Sequence, residues 1–146
     1  MANLTFQHLN TDWNAEPNAP DVELTVEGNA VRLSFRLNPW AYSAAPGEIA
    51  TLRFLGCSRF RWDATNDHAW FAGEGLYSGQ APKWGEFYEV IGDTRVAEDD
   101  DWDVLSADLP SARQFLFYFR DDTIEIVAQD WSLTREIPPA AESSSR

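Results

Sequence analysis

The stretch 113–131, RQFLFYFRDDTIEIVAQDW, constrains the fold more than any other part of this chain. Phe115, Phe117 and Phe119 alternate with Leu116, Tyr118 and Arg120, and after two aspartates Ile124, Ile126 and Ala128 alternate with Glu125 and Val127. A two-residue turn at Asp121 and Asp122 sets Phe119 opposite Ile124, Phe117 opposite Ile126 and Phe115 opposite Ala128. All six then share one face of an antiparallel pair, and that face must be buried. The reverse face sets Leu116 opposite Val127, Tyr118 opposite Glu125 and Arg120 opposite Thr123. Half apolar and half polar, it suits a pocket wall, an interface or a partly covered sheet.

A second hairpin is written in DVELTVEGNAVRLSFRLN. A Gly28-Asn29 turn pairs Val26 with Val31, Leu24 with Leu33 and Val22 with Phe35 on a core face. The other face, with Asp21 opposite Arg36, Thr25 opposite Arg32 and Glu23 opposite Ser34, is wet. Residues 49–62 place Leu52, Phe54, Phe60 and Trp62 on one parity and Arg53, Arg59 and Arg61 on the other, as one long strand or two bent at Gly56. Those arginines either bind an anion or pair across strands with carboxylates, and the second reading is favoured in so acidic a chain.

Further strands are expected over 3–9, more weakly over 70–77, and over 84–91. The last has Trp84, Glu86, Tyr88 and Val90 on one side and Phe87, Glu89 and Ile91 on the other. Residues 11–21 and 38–47 read as connections rich in Pro, Asn and Asp, and EDDDWD over 98–103 reads as a charged loop. About eight strands with little helix give an antiparallel all-β sandwich or barrel. Residues 1–136 form a single β domain, and 137–146 a flexible C-terminal tail.

Charge and composition narrow the function. Twenty-four acidic against 11 basic residues leave a net charge of -13, which repels phosphate backbones and argues against nucleic acid as a partner. It is compatible with a basic protein partner. The start MANLTFQHLNTDW lacks a basic region followed by an apolar run, and no stretch approaches a membrane span, so a cytoplasmic protein is expected. Cys57 has no cysteine to pair with and reads as a small core or sheet residue. The alternative, a reactive thiol, needs Arg59 to lower its pKa.

Catalytic signals are weak. The histidines are His8, in an expected strand, and His68, beside Asp67. With one cysteine they give little basis for a zinc site. Asp99, Asp101 and Asp103 begin with calcium-loop spacing, but Val104 stands where the loop needs glycine and Pro110 where it needs glutamate. Glu86 and Glu89 point to opposite faces of a strand and cannot form a glycosidase couple. No glycine-rich phosphate loop is present, and no cofactor is called for.

What remains is a surface of aromatics and carboxylates: Trp84, Glu86 and Tyr88 on one strand, with Tyr118, Arg120, Glu125 and Trp131 on the outer face of the central hairpin. The first expectation is a non-enzymatic protein that binds a small polar or aromatic ligand in a barrel mouth or inter-sheet pocket. The alternatives are an acidic, immunity-type antagonist of a basic protein, and an enzyme of unfamiliar type using Glu86 or Glu125 with His68.

Overall fold

In the computed structural model, residues 5–17, 20–40, 44–63, 86–92, 102–107, 110–119 and 122–137 are described. They contain ten strands: β1 (Thr5–His8), β2 (Glu23–Glu27), β3 (Ala30–Arg36), β4 (Ile49–Leu55), β5 (Arg59–Asp63), β6 (Phe87–Ile91), β7 (Asp103–Val104), β8 (Arg113–Tyr118), β9 (Thr123–Ala128) and β10 (Asp130–Glu136). Every pairing is antiparallel, in a six-stranded sheet of order β1-β6-β8-β9-β5-β7 and a four-stranded sheet of order β10-β4-β3-β2. The two sheets pack as a sandwich, not a closed barrel. Among the described residues no helix is long and apolar enough to cross a membrane. The strand expected over 70–77 and the tail from 138 onward lie outside the described residues.

Alternation decides which side chains meet. Leu33, Phe35, Leu52 and Phe54 of the smaller sheet face Phe87, Phe115, Phe117, Ile124 and Ile126 of the larger one, all buried. The contact is largely ring on ring: Phe35 meets Phe117 edge-on at 5.0 Å between centroids, Phe54 meets Phe115 at 5.3 Å, and Phe117 stacks on Phe119 at 4.1 Å. Such pairs add about 0.5–1.5 kcal/mol each beyond their area burial. Trp13 closes one side, stacking on Phe35 at 5.7 Å and touching Phe117 at 6.0 Å.

The central hairpin keeps its expected faces but not its expected register. Tyr118 pairs with Thr123, Leu116 with Glu125, Phe117 with Ile124 and Phe115 with Ile126. The Phe119 amide continues the ladder by donating to the Asp122 carbonyl at 2.8 Å. The reversal therefore comes one residue earlier than an Asp121–Asp122 turn, and every pairing moves by two. A shift of two preserves both faces, so the alternation could not reveal it. The other hairpin has the expected register throughout, with Gly28 at φ +62°. Asn29 is not in the left-handed region, as suits a turn whose positive φ falls on its first central residue.

Residues 49–62 are divided between the sheets, β4 in the smaller and β5 in the larger. The chain changes sheet again between β9 and β10. The two corners lie against each other: the Gln129 amide donates to the Leu55 carbonyl at 2.9 Å and the Ser58 amide to the Val127 carbonyl at 3.0 Å. Three residues, Gly56 to Ser58, oppose two, Ala128 and Gln129, so the strand carries one extra residue at the bend. Gly56 makes this possible. Its φ is +63°, and a Cβ there would sit 2.5 Å from the Gln129 side-chain oxygen.

The far end of β10 is held by Arg135, which donates through Nε to Glu48 Oε2 at 2.9 Å. Hydrogen bonds from Arg135 and from the Ala45 amide hold the Glu48 carboxyl below its usual range. The stability this pair supplies is complete above the unfolded carboxylate's pKa and is lost as pH falls through the lowered folded value. Arg135→Met should therefore lower the melting temperature at pH 7 and make little difference well below pH ~4. Equal losses at both pH values would show that Arg135 acts through packing alone. Separately, Phe117→Ala should cost about 3–5 kcal/mol in denaturant unfolding, as truncation of a buried aromatic does.

Candidate functional site

Two sheet faces point away from the core, and they differ sharply. On the larger sheet, cross-strand pairing sets His8, Tyr88, Leu116, Glu125 and Arg61 side by side in one row over five strands. Tyr118 lies in the next row, with its ring 6.4 Å from that of Tyr88. Four expected site residues, Glu86, Tyr88, Tyr118 and Glu125, thus come to one side of the sheet. Tyr118 and Glu125, expected opposite each other, are instead diagonal neighbours because of the register. Trp84, Arg120 and His68 lie outside the described residues.

This face is not open. Tyr118, Leu116 and Glu125 are 0% exposed. Glu125 accepts from Arg61 Nε at 2.7 Å on one oxygen and from Gln114 Nε2 at 2.7 Å on the other. The Arg61 guanidinium in turn lies over the Trp102 ring, 4.2 Å from its centroid. Trp102, expected in a charged loop, is buried beside β7. A buried ion pair with both carboxylate oxygens engaged is a structural tie, and removing one partner takes from the other its buried counter-charge.

Glu86 is engaged in the same way. It receives His8 Nε2 at 2.7 Å and Asn10 Nδ2 at 3.2 Å on one oxygen, and Asn14 Nδ2 at 3.4 Å on the other. Asn10 also donates to the Trp13 carbonyl at 2.8 Å and accepts from the Phe87 amide at 2.9 Å. This cluster fastens the segment after β1 to the start of β6 and so seats Trp13 in the core. The histidine that contacts Glu86 is His8.

Trp131 is placed differently from expectation. It belongs to β10 of the smaller sheet, opposite Phe54, and its ring packs edge-on against Phe87 at 5.2 Å. The sheet change at Gln129 shifts its parity and turns it inward, away from Tyr118 and Glu125. Cys57 is buried, with its thiol donating to the Arg59 carbonyl at 3.5 Å. Burial pushes the thiol up to about 11, so it is protonated and unreactive at neutral pH. Among the described residues no group of three His, Cys, Asp or Glu side chains could hold a metal ion.

The outward face of the smaller sheet is open and carries the other cluster of interest. Its central row reads Ser132, Arg53, Arg32, Thr25 across β10, β4, β3 and β2, and the adjacent row reads Thr134, Thr51, Ser34, Glu23. Arg32 and Arg53 stand directly opposite each other on neighbouring strands. Among the described residues Arg32 reaches only Glu27, at 3.4 Å with both side chains nearly half exposed, a weak pair. Arg53 has no hydrogen-bond or ion-pair partner among the described residues. A hollow of about 420 Å³ lies over them, lined by Glu27, Arg32, Thr51, Arg53, Ser132 and Thr134. A second, of about 410 Å³, adjoins it beyond Arg32 and Thr51.

The alternatives for the arginine parity of residues 49–62 are therefore divided by the corner. Arg61, beyond it, pairs with a carboxylate, whereas Arg53, before it, faces another arginine. Sequence reasoning did not single out Arg32 and Arg53 as a pair. The signal was present in Arg32 on the wet face of one hairpin and Arg53 on the outer parity of the next strand, and only the β3–β4 register was missing.

Comparison with known proteins finds no matching family model, no matching curated protein and no matching solved structure.

The two faces make opposite demands on stability. Glu125→Gln should destabilise the protein by about 1.5–3 kcal/mol, because the buried Arg61 loses the charged acceptor that its Nε binds at 2.7 Å. A loss below about 1 kcal/mol in denaturant unfolding would show that the pair is not a structural tie.

Proposed function

We propose that this protein is a non-enzymatic binding protein that holds an oxyanion-bearing ligand on the open face of its four-stranded sheet. The observation that carries the reading is the direct opposition of Arg32 and Arg53 in a chain with a net charge of -13. Like charges facing each other across strands are destabilising by a few tenths to about 1 kcal/mol. Acidic residues to separate them are plentiful in the chain, yet the positions on either side hold Ser132 and Thr25. Two guanidiniums and a fringe of hydroxyls suit a phosphate, sulfate or carboxylate, which arginine receives in a planar, two-pronged manner. Between the sheets the described residues pack ring on ring, which favours the open face over an inter-sheet pocket as the binding location.

A second reading, an acidic antagonist of a basic protein, draws on a different feature. Trp40 is 71% exposed, and an exposed tryptophan on an acidic protein suits an interface anchor. Association with such a partner would slow steeply with added salt and weaken on Trp40→Ala.

Arg53→Thr tests the first reading with two measurements of opposite sign. Phosphate titrated into the wild type should shift backbone amide resonances of β3 and β4 in a saturable way, and the variant should lose this response. Unfolding stability should rise by a few tenths of a kcal/mol as the repulsion is removed. An unchanged phosphate response in Arg53→Thr would overturn the assignment.

A further inference from the structure

The two adjoining hollows differ in chemistry, and the difference bears on what the oxyanion is attached to. The first holds Arg53, the hydroxyls of Ser132 and Thr134, and Glu27, which is paired with Arg32. The second holds Glu23 and Glu136, two carboxylates without a hydrogen-bond or ion-pair partner among the described residues. The one cation confined to that second hollow, Arg36, is already taken by Asp21 at 3.0 Å. Arg32 and Thr51 line both hollows. Thr51 shares a hydrogen bond with Ser34 at 3.1 Å, so hydroxyls run continuously from one hollow to the other.

A ligand lying across the shared boundary of the hollows must place one anionic group over the arginines and hydrogen-bond donors towards Glu23. A polyanion is disfavoured, because its further charges would meet the carboxylates of the second hollow in an already acidic protein. Glu136 lies on the edge strand opposite that of Glu23, so one small ligand reaches only Glu23, which stands one row, about 7 Å, along from the arginine row. A single sugar bearing one acidic group covers much of that distance. Its hydroxyls donate to carboxylates, and both donate to and accept from serine and threonine.

Resting on the oxyanion reading above, we infer that the ligand is a sugar carrying a single anionic substituent, a sugar phosphate or sugar acid. The anion sits between Arg32 and Arg53, and the ring hydroxyls lie over Thr51, Ser34 and Glu23. Ligand hydroxyls hydrogen-bond to the Glu23 carboxylate there, so the neutral part of the molecule supplies the selectivity.

Glucose 6-phosphate, inorganic phosphate and phosphoethanolamine, each titrated into the intact protein and followed by amide resonances, test this directly. Glucose 6-phosphate should bind about tenfold more tightly than inorganic phosphate, the gain expected from one or two additional hydrogen bonds. Glu23→Gln should reduce that advantage severalfold while leaving inorganic phosphate affinity unchanged, and Arg53→Thr should weaken both ligands. The amide spectrum of each variant verifies that it is folded. Equal affinity for glucose 6-phosphate and inorganic phosphate would overturn the sugar inference and leave the oxyanion reading standing. Tighter binding of phosphoethanolamine than of glucose 6-phosphate would overturn it in favour of an ammonium over the carboxylate. Failure of all three to bind would overturn both.

Discussion

The fold depends on two bent strands that remain paired on both sides of their bends. Residues 49–63 and 123–136 run antiparallel in the larger sheet as β5 with β9, and again in the smaller sheet as β4 with β10. The hydrogen bond from the Gln129 amide to the Leu55 carbonyl lies where the two bends meet. Because each strand belongs to both sheets, the sheets cannot separate without breaking backbone ladders. This is a stronger restraint than apolar contact between independent sheets, which resists sliding only through side-chain fit. The phenylalanine layer then needs only to fill a space whose width the corner has set.

Charge is handled in two ways in this molecule. Glu125 and Glu86 lie in the fold with their oxygens engaged by Arg61, Gln114, His8, Asn10 and Asn14, which meets the requirement that buried polar groups be satisfied. Arg32 and Arg53 are exposed, adjacent and of like sign, and no local structural need accounts for them. Departures from local consistency of this kind gather at functional positions, where stability is given up for binding. Carboxylates within a sheet are therefore weaker indicators of function here than two cations with no reason to be neighbours.

Much of the fold was legible because alternation with period two survives errors in register. Phe115, Phe117, Ile124 and Ile126 were placed in the core from sequence, and the structure puts them there although the pairing is shifted by two. The turn at Gly28 was legible because glycine there has a backbone reason to exist. What could not be read was the change of sheet. At Gly56 the sequence left one long strand and two bent strands both open, while nothing local in AQDW distinguishes a bend from a continued strand, and Trp131 was put on the wrong face because one parity was carried through Gln129. The site was illegible for a related reason: Arg32 and Arg53 are ordinary outward-facing residues until β3 and β4 are paired, and that pairing spans a connection of non-repetitive sequence.

The doubled corner also orders events during synthesis. The Arg61–Glu125 tie joins positions 64 residues apart, and β4 gains its outer neighbour only from β10. While β3 and β4 are leaving the ribosome, neither sheet can be completed, and the apolar faces of Leu33, Phe35, Leu52 and Phe54 have nothing to close against. Local hairpins such as β2 with β3 can form early, since their turn is short. The sandwich itself must wait for β8 to β10, so the nascent chain carries the exposed apolar face of β3 and β4 until those strands emerge, and chaperone occupancy should be highest in that interval.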